Sequence, residues 1–427
     1  MKTTTVRAVC VLAATLLAGT AAPAAQAQPA PVRDDTVRVN LAPDGTPADD
    51  WSEPLGLSAD GRYALFTSLA SNLVPGDTNR LYDVFVRDLW TRRTERVSLA
   101  DDGAQLDGST VQAAISADGR YVAFSSDARN AVPGQPGSGR TDVYVRDRST
   151  GRTERLTAGS GVGNSLGPVI SADGRYVAYS SDRADLAPGV GPGTANIYLT
   201  DRWTGSTRLV TTGHDGAPAD GSSVEPSLSA DGLTVAFRSK AANLAAPASS
   251  PVQAAPVPAP AKPAPSRQLF PLYAYDARTG RIQGASIDAG GTLRDAVRQA
   301  RLSPDGRFAL FRVFQPDQGV TRVALYARDL RAGTVTEVAA DGTQPAVMTA
   351  DDRWVYFASD VGTLVPGDTN GVADVFRRDL WTGRVERVGT AAGPSSAPAV
   401  DAFGTTLVFG ALDGGRQDVL ARHLSLF

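Results

Sequence analysis

Residues Ile115 to Ser126 read ISADGRYVAFSS, and near-copies of this stretch recur along the chain of 427 residues. The near-copies are LSADGRYALFTS (57–68), ISADGRYVAYSS (170–181), LSADGLTVAFRS (228–239), LSPDGRFALFRV (302–313) and the more divergent MTADDRWVYFAS (348–359). Most copies place Asp-Gly between two apolar runs. This is typical of a β-hairpin, because a two-residue primed turn requires positive φ and glycine adopts it without steric cost. The stretch therefore predicts a repeated pair of strands, which we call A and B, joined by a two-residue turn.

Two further stretches follow each hairpin in the same order. Strand C reads DVFVRD (83–88), DVYVRD (142–147) and DVFRRD (374–379) in three units, and strand D reads TERVSL (94–99) and TERLT (153–157) in two units. Strand B is apolar on successive residues, as in YVAF, which is expected of a strand covered on both faces. Radially stacked blades of a β-propeller cover every sheet in this way.

The last unit stops after its C strand, at 418–423, whereas the chain begins with TVRVN (36–40), which has the composition of a D strand. Such an offset is expected of a ring that is closed by pairing the two ends of the chain. We therefore predict an all-β fold, a seven-bladed β-propeller of four-stranded antiparallel blades. It spans residues 36–427 and is closed by its N-terminal strand.

The S-x-D-G-R-Y-V-A-F hairpin and the D-V-Y-V-x-D strand with its following T-G turn resemble the PD40 (WD40-like) units of TolB-type β-propellers. The resemblance runs from about residue 36 to the end of the chain. Six of the seven units match well, and the last unit has AVDAFGTTLVFG in place of the hairpin motif. The resemblance implies a secreted or periplasmic bacterial propeller that works as a protein-binding platform.

The N-terminus has the pattern of a signal peptide over residues 1–27. Lys2 and Arg7 precede an apolar run that is too short to span a membrane, and Ala25-Gln26-Ala27 matches the small-x-small cleavage pattern. We expect cleavage near Ala27, secretion to the extracellular space, and a leader at 28–35. The sole cysteine, Cys10, lies in the part removed, so the mature chain has no thiolate for a disulfide or a metal. A Pro/Ala-rich insertion at 245–267 is expected to be an extended loop.

The overall charge limits the class of partner. The formal net charge is −3 and the sequence pI is about 5.6, which argues against a nucleic-acid groove or an anionic membrane as the main partner. No stretch of the mature chain is apolar enough to predict a membrane span. We expect a monomer.

Function is expected on one face of the disc. In a four-stranded blade the A–B and C–D turns share one face, here called the turn face, and the B–C and D–A loops share the other, here called the loop face. The loop-face segments are long and varied, for example SLASNLVPGDTNRLY (68–82) and TTGHDGAPADGSSVEP (211–226). Long loops on a rigid scaffold usually carry binding residues, so the loop face is the candidate surface. The alternative is that these loops only shield the blade ends.

One polar position recurs just before strand A and is predicted to ring the mouth of the central channel. Alignment of the units places there Glu53, Gln112, Gly167, Glu225 and Gln299. Two carboxylates and two amides could bind a cation or a peptide amine. The competing interpretation is that these groups contact only water.

Two B–C loops share the pattern Asp-x-Asn-x3-Asp, with the side chains Asp77, Asn79, Asp83 and Asp368, Asn370, Asp374. Calcium prefers such oxygen ligands, so calcium is the one cofactor that the sequence suggests. However, Leu81 and Val372 stand where an EF-hand has a further ligand. Asp and Asn also form Asx-turns without a metal, and we favour that interpretation.

Three other motifs favour structural roles. Gly163-Asn164-Ser165-Leu166-Gly167 matches G-x-S-x-G, but a strand rather than a helix follows it, and the two histidines, His214 and His423, are far away in sequence. Tryptophans recur after strand C in three units and are expected to pack the C–D loop rather than stack on a ligand: Trp90, Trp203 and Trp381.

The sequence thus favours a secreted, non-catalytic propeller that binds a protein, a peptide or a cell-envelope component through its loop face. The alternative is a propeller enzyme of the lyase or lactonase type that uses a divalent cation and acids at the channel mouth. Propeller folds host both classes, so the fold does not decide between them.

Overall fold

The computed structural model describes residues 36–425 except 136, 138, 160, 245–269, 289–290, 297–298, 318–319 and 341–344. The predicted signal peptide (1–27), the leader (28–35) and the Pro/Ala-rich insertion (245–267) lie outside the described residues. Within the described residues the secondary structure is all strand and turn, without a helix.

The strands follow the predicted order of four per blade. The chain starts with β1 (Val37–Arg38); blade 1 has β2 (Ser52–Leu57), β3 (Tyr63–Ser68), β4 (Asp83–Asp88) and β5 (Arg93–Arg96); blade 2 has β6 (Thr110–Ile115), β7 (Tyr121–Ser126), β8 (Asp142–Asp147) and β9 (Arg152–Arg155). Blade 3 has β10 (Ser165–Ile170), β11 (Tyr176–Ser181), β12 (Asn196–Asp201) and β13 (Ser206–Leu209); blade 4 has β14 (Ser223–Leu228), β15 (Thr234–Ser239), β16 (Leu272–Asp276) and β17 (Arg281–Gly284). Blade 5 has β18 (Arg301–Leu302), β19 (Phe308–Asp317), β20 (Val320–Asp329) and β21 (Val335–Ala339); blade 6 has β22 (Val347–Met348), β23 (Trp354–Ser359), β24 (Asp374–Asp379) and β25 (Val385–Gly389). Blade 7 has β26 (Ser395–Val400), β27 (Thr406–Asp413) and β28 (Arg416–His423).

These strands form seven four-stranded antiparallel sheets, which confirms the predicted seven-bladed β-propeller. Strand A of each blade contacts strand A of the next blade around the whole ring, so the A strands line the central axis. The sheets meet face to face, and strand B is therefore buried on successive residues, as the apolar runs predicted. In six blades an aromatic side chain of strand B stacks on one of strand C, for example Phe66 on Phe85 with ring centroids 5.6 Å apart.

The ring is closed by the N-terminal strand, as predicted. β1 pairs antiparallel with β28, with Val37 opposite Ala421, and the Val39 N–H donates to the Val419 carbonyl at 2.8 Å. Asn40 then fastens the junction from a fully buried position. Its amide donates to Asp418 Oδ1 at 2.9 Å and to the Ser52 hydroxyl at 3.1 Å, so one side chain joins blade 7 to blade 1.

The A–B turns differ from the predicted two-residue primed hairpins. In blade 1 the Gly61 N–H donates to the Ser58 carbonyl, and of the turn residues only Gly61 has positive φ. A primed turn of type I′ would need positive φ at Asp60 as well. Asp60 instead accepts hydrogen bonds from the Ser58 hydroxyl and the Arg62 N–H, which stabilises a longer turn between Leu57 and Tyr63.

The turn glycine also allows the blades to approach each other. A Cβ at Gly119 would lie 2.3 Å from the Tyr63 ring of the preceding blade, and one at Gly174 would lie 2.2 Å from the Tyr121 ring. Both glycines have positive φ. The glycine of the Asp-Gly motif is therefore required by the close contact between blades as well as by the turn itself.

Successive A–B turns are joined by backbone hydrogen bonds that form a belt around the channel. The residue after the turn serine or its equivalent donates its N–H to the equivalent carbonyl of the next blade at 2.6–3.0 Å; the donors are Ala59, Ala117, Ala172, Ala230, Ala350 and Ala402. The seventh donor position is Pro304, which has no N–H. The belt is therefore interrupted between blades 5 and 6.

The same interface carries a second irregularity at Asp352, which replaces the turn glycine and has φ of 59°. Asp352 faces Asp305 and Ser303, and among the described residues its cationic neighbour there is Arg307, with Nη1 3.8 Å from Oδ2. Burial, followed by repulsion from Asp305, raises the pKa of Asp352 to about 6. Ionisation of Asp352 thus weakens an interface that already lacks a belt hydrogen bond.

Deleting residues 28–41 should open the ring, because it removes β1 and leaves Asp418 without Asn40. We expect the melting temperature to fall by more than about 10 °C, since an edge strand and a buried side-chain bridge are lost together. Circular dichroism would measure it. The matched control deletes only 28–35, which precede β1, and should melt as the wild type does. A melting temperature that survives the longer deletion would contradict closure by β1.

Asp352→Asn should stabilise the protein above pH 6 and leave it nearly unchanged near pH 4. The folded pKa lies above the usual carboxyl value, so ionisation costs the folded state free energy as the pH rises from about 4 through 6. A raised pKa of this size corresponds to at most about 3 kcal/mol. Denaturant unfolding from pH 4 to 8 would measure it. Asp352→Gly, which also removes the left-handed strain, should be the more stable variant by about 1 kcal/mol. Equal gains for Asp352→Asn at pH 4 and pH 8 would refute the charge contribution.

Candidate functional site

On the loop face, reciprocal side-chain hydrogen bonds join the D–A loop to the B–C loop. We call each set of these bonds an Asp–Asn clasp. In blade 1 Asp49 accepts hydrogen bonds from the Ser71 N–H and hydroxyl, at 2.8 and 2.7 Å. Asn72 accepts from the Asp49 N–H and donates to the Pro47 carbonyl, at 3.1 and 2.9 Å. The same pairing recurs in blades 2 and 4 through Asp107 with Asn130 and Asp220 with Asn243. The long loops are therefore attached to one another rather than free.

The five residues predicted at the channel mouth lie at the loop-face end of the A strands, but their backbones differ. Glu53 and Gln112 lie within the ladder, opposite Thr67 and Ser125. The other three have left-handed backbone with φ of 61°, 55° and 68°: Gly167, Glu225 and Gln299. Except for Gln299, the residues belong to strand A itself instead of preceding it. They form an irregular rim, not a uniform ring.

Two of the rim side chains bind the next blade. Gln112 Oε1 accepts a hydrogen bond from the Gly167 N–H at 2.9 Å, and Glu225 Oε2 accepts one from the Gln299 N–H at 3.0 Å. In both cases the acceptor lies in one blade and the left-handed residue in the following one. These rim groups therefore contribute to holding adjacent blades together.

Glu53 is different because it is exposed at the mouth. The surrounding wall nevertheless displaces part of its hydration, and burial of this kind raises the pKa of the Glu53 carboxyl. Of the rim carboxylates, Glu53 is the one without a hydrogen bond to another described residue.

Basic side chains that the rim alignment did not include lie beside Glu225. Arg238 Nη1 is 3.3 Å from Glu225 Oε2, and its guanidinium stacks on Phe270 at 4.5 Å from the ring centroid. Arg301, in strand A of blade 5, has no hydrogen-bond or ion-pair partner among the described residues. Burial lowers the pKa of Arg301, and the attraction of Glu225 offsets only part of that effect.

A signal for this basic group is present in the repeat. The fifth residue of strand B is a small hydroxyl residue in the first three blades, Thr67, Ser125 and Ser180, and becomes Arg238 and Arg312 in blades 4 and 5. Two of the hydroxyls donate to strand A of the next blade, Thr67 to the Thr110 carbonyl and Ser180 to the Ser223 carbonyl. At this position the first three blades have a neutral hydroxyl, whereas blades 4 and 5 have a basic side chain.

The two candidate calcium loops contain an arginine among their carboxylates. In blade 1 Arg96 Nη1 lies 3.4 Å from Asp77 and 3.3 Å from Asp83, and in blade 6 Arg387 Nη1 lies 3.0 Å from Asp368 and 3.2 Å from Asp374. In each loop the guanidinium therefore occupies the place among the carboxylates that a bound metal cation would take.

The asparagines of these loops are also turned away from metal binding. Asn79 and Asn370 direct their amide N–H at Asp83 and Asp374, and their carbonyls accept from the N–H groups of residues 81 and 372. That is the geometry of an Asx-turn. In the described part of the chain, no three His, Cys, Asp or Glu side chains are grouped to hold a metal ion.

Blades 1 and 6 differ in how they satisfy the buried aspartate. The Ser98 hydroxyl donates to Asp83 Oδ1 at 2.6 Å, whereas Gly389 stands at the equivalent position in blade 6. Asp374 Oδ1 has no hydrogen-bond partner among the described atoms, and burial raises the pKa of Asp374. A side chain at Gly389 would lie 3.0 Å from Val375 Cβ, so a serine there would require its neighbours to shift.

The G-x-S-x-G stretch has a structural role. Ser165 is buried at the start of β10 and its hydroxyl lies 2.9 Å from the Ser181 hydroxyl. Equivalent hydroxyl pairs join Ser52 to Ser68 and Ser223 to Ser239. The two histidines lie elsewhere, His214 in an exposed loop of blade 3 and His423 at the end of β28.

The three recurring tryptophans lie on the turn face and are mostly exposed. Each stacks on the arginine of the A–B turn in its own blade, at 4.7–5.0 Å from the ring centroid to Cζ; the pairs are Trp90 with Arg62, Trp203 with Arg175 and Trp381 with Arg353. One side of each indole therefore packs against the protein, as predicted for the C–D loop, and the rest of the ring is largely open.

Sequence reasoning missed one buried charge, Arg183. Its side chain is fully buried, with Nη1 3.0 Å from Asp142 Oδ1 and 2.6 Å from the Thr157 carbonyl, and Nη2 2.8 Å from Asp185. The bond from Arg183 lowers the pKa of the Asp185 carboxyl. A polar SDRAD stretch gives no sign of burial, because only the tertiary contacts neutralise the charge.

No protein-family model matches this chain, and no curated protein sequence matches it. Solved structures with low sequence identity share the fold. An oligogalacturonate lyase in complex with manganese is 12% identical and superposes with a TM-score of 0.59 over 92% of this chain and 93% of its own. The oligogalacturonate lyase from Vibrio parahaemolyticus is 12% identical, with a TM-score of 0.60 over 92% and 94%.

Two further neighbours are a protease propeller and a TolB protein. The β-propeller domain of the Trilobed protease from Pyrococcus furiosus is 13% identical, with a TM-score of 0.52 over 89% of this chain and 97% of its own. TolB from Acinetobacter baumannii is 14% identical, with a TM-score of 0.40 over 86% and 81%. The two lyases and the protease domain show that the chain has the β-propeller fold. The described residues contain no helix long and apolar enough to cross a membrane.

Calcium should not stabilise the wild-type protein, because Arg96 and Arg387 already neutralise the carboxylates of both loops. We expect the melting temperature in 1 mM calcium to equal that in EDTA, and Asp77→Ala with Asp368→Ala to remain equally insensitive. Differential scanning calorimetry would measure both. A calcium-dependent rise of a few degrees in the wild type that the double variant loses would establish these loops as metal sites.

Proposed function

We propose that this protein is a secreted, non-catalytic binding protein that takes an acidic segment of a peptide or protein at the loop-face mouth of its channel. The observation that carries the proposal is Arg301, a cationic side chain of the channel wall without a hydrogen-bond acceptor among the described residues. A carboxylate is the ligand group that matches a guanidinium best, because it accepts two parallel N–H bonds.

The surroundings of Arg301 favour binding of an anion. Arg238 lies on the same side of the mouth and forms an ion pair with Glu225. The same carboxylate accepts a hydrogen bond from the Gln299 N–H and attracts the Arg301 guanidinium. A single carboxylate cannot balance two guanidinium groups. A ligand carboxylate would complete the balance in a site that is partly removed from water, where charge-assisted bonds are stronger.

The loop face also has the rigidity that binding requires. The three Asp–Asn clasps fix the D–A loops against the B–C loops, so a ligand does not have to order them on binding. Pre-ordered loops retain affinity that would otherwise be lost to conformational entropy. The loop face therefore combines a fixed rim with a local excess of positive charge beside Glu225.

The enzyme alternative receives less support from the same residues. A lyase or lactonase with a divalent cation needs mouth acids and amides that are available to the metal. Here Gln112 and Glu225 are engaged with backbone N–H groups of the next blade. Releasing them would weaken the ring. The manganese-bound lyase shares the fold with this chain at 12% identity, which does not transfer its activity.

Arg301→Gln should lose the natural partner while the fold is kept. The mature chain from residue 28, immobilised on beads, would be exposed to culture medium and to solubilised cell-wall fractions, and the retained molecules identified by mass spectrometry. Loss of one charge-assisted hydrogen bond should weaken retention about 10- to 100-fold. The matched control is Arg152→Gln, whose exposed guanidinium lies away from the channel at the start of β9.

Three outcomes decide the matter. A partner held by the wild type and by Arg152→Gln but lost from Arg301→Gln supports the proposal. A partner held equally by all three proteins places binding elsewhere. A molecule that is released with altered mass in a reaction that requires a divalent cation supports the enzyme instead.

A further inference from the structure

Three tryptophans of the turn face are unusually exposed for such large apolar side chains. Trp90, Trp203 and Trp381 are 65%, 67% and 71% exposed, and each follows the last aspartate of its C strand by two residues. They lie on the side of the disc opposite the channel mouth discussed above. Tryptophan is among the residues most enriched in binding hot spots, so three exposed tryptophans at equivalent positions are candidate contacts for a ligand.

Each tryptophan is held in place by the same set of contacts. The indole residue donates its backbone N–H to the aspartate of strand C at 2.8–3.0 Å, the acceptors being Asp88, Asp201 and Asp379. The second oxygen of that aspartate binds the arginine of the A–B turn at 2.6–2.7 Å, the arginines being Arg62, Arg175 and Arg353. The guanidinium is therefore fixed, and the C–D loop that carries the indole is anchored beside it.

The arginine stacks between two rings at each site. Its inner neighbour is the first residue of strand B, Tyr63, Tyr176 or Trp354, at 4.8–5.2 Å from the ring centroid, and its outer neighbour is the exposed indole. One face of each indole is thus covered by a guanidinium, while most of its remaining surface is open to water. Such stacking on a cation also holds the ring in one orientation.

We propose that these three positions are equivalent carbohydrate-binding sites for a neutral polysaccharide. A sugar ring presents a face of C–H groups, which packs on the open face of an indole. Its rim of hydroxyls accepts from a guanidinium, and a fixed arginine stands next to every one of these tryptophans. The arginine and the aspartate at each site neutralise each other, so the ligand that matches them carries no net charge.

The arrangement of the sites around the ring distinguishes this ligand from a protein partner. The equivalent positions in the other four blades are Ser149, Arg278, Arg331 and Ser425, so no two adjacent blades both carry an indole there. A protein interface is built around a continuous apolar core, whereas the large exposed aromatic side chains described on this face occur no more than one per blade, the three indoles and Phe403 in the A–B turn of blade 7. A polymer with repeated units matches a repeated, isolated site, and several weak contacts on one chain would raise the overall affinity without further contacts.

Binding to insoluble polysaccharides tests the proposal. The mature protein would be incubated with cellulose, chitin and insoluble β-1,3-glucan, and its depletion from solution measured as a function of polysaccharide concentration. The variants are the single changes Trp90→Ala, Trp203→Ala and Trp381→Ala and the triple variant. Each single change should weaken binding about three- to tenfold and the triple variant at least a hundredfold. The matched control, Arg331→Ala, changes the equivalent position of blade 5 and should bind as the wild type does.

A spectroscopic measurement separates binding from folding. Circular dichroism would show whether the triple variant keeps its sheet content and melting temperature. Soluble oligosaccharides of the retained polysaccharide should quench or shift the indole fluorescence of the wild type, and the change should decrease with each tryptophan removed. Wild-type depletion no greater than that of the folded triple variant on all three polysaccharides overturns the proposal, as does a captured protein whose retention depends on these tryptophans.

Discussion

A belt of backbone hydrogen bonds between successive A–B turns sets the spacing of the blades, and the rest of the molecule is arranged around it. Each bond runs from the residue after a turn serine, or its equivalent, to the same residue of the next blade, as from Ala59 to Ala117. The turn glycine brings the chains close enough for this, because a side chain there would strike the neighbouring blade, as at Gly119 against the Tyr63 ring. At Pro304 the donor is missing, and at Asp352 a carboxylate replaces the glycine. The contacts that hold the ring are therefore local, repeated and weakest at one interface.

The two faces of the disc use their polar residues differently. On the turn face, aspartates of strand C and arginines of the A–B turn pair within five blades, and in blades 1, 3 and 6 such a pair fixes the exposed indole beside it. On the loop face, Asp–Asn clasps join the loops, and rim side chains such as Gln112 bind the following blade. Arg301 stands apart from both patterns, since no described group accepts from it. The division leaves Arg301 on the loop face without a described acceptor and the turn face with neutral, aromatic positions, which suits the two faces to ligands of different chemistry.

Arginine side chains of the chain itself neutralise buried carboxylates at three places. Arg96 and Arg387 stand among the acids of the Asp-x-Asn-x3-Asp loops, where a bound calcium had been an alternative. Arg183 lies fully buried between Asp142 and Asp185 in blade 3. In each case a cation of the chain itself neutralises carboxylates at the outer blade strands. A guanidinium can do so with several directed hydrogen bonds, which a buried carboxylate needs if its desolvation is to be offset.

The sequence by itself determined the seven-bladed ring, its strand order and its closure by residues 37–38, because the repeat, the successive apolar residues of strand B and the displaced D strand are all local patterns. It did not determine the turn type, since Asp-Gly suits both a two-residue turn and the longer turn that Asp60 stabilises. The tertiary structure alone decided which hydrogen-bond partners each polar side chain has. Glu225 and Asp83 are ordinary charged residues in sequence, but Glu225 binds the Gln299 N–H of the next blade, and Asp83 binds the Ser98 hydroxyl and Arg96 farther along its own blade. Arg301 is equally ordinary in sequence, and no described group accepts a hydrogen bond from it. Hydrogen bonds across blade interfaces depend on distances between segments far apart in the chain, and no local pattern encodes those distances.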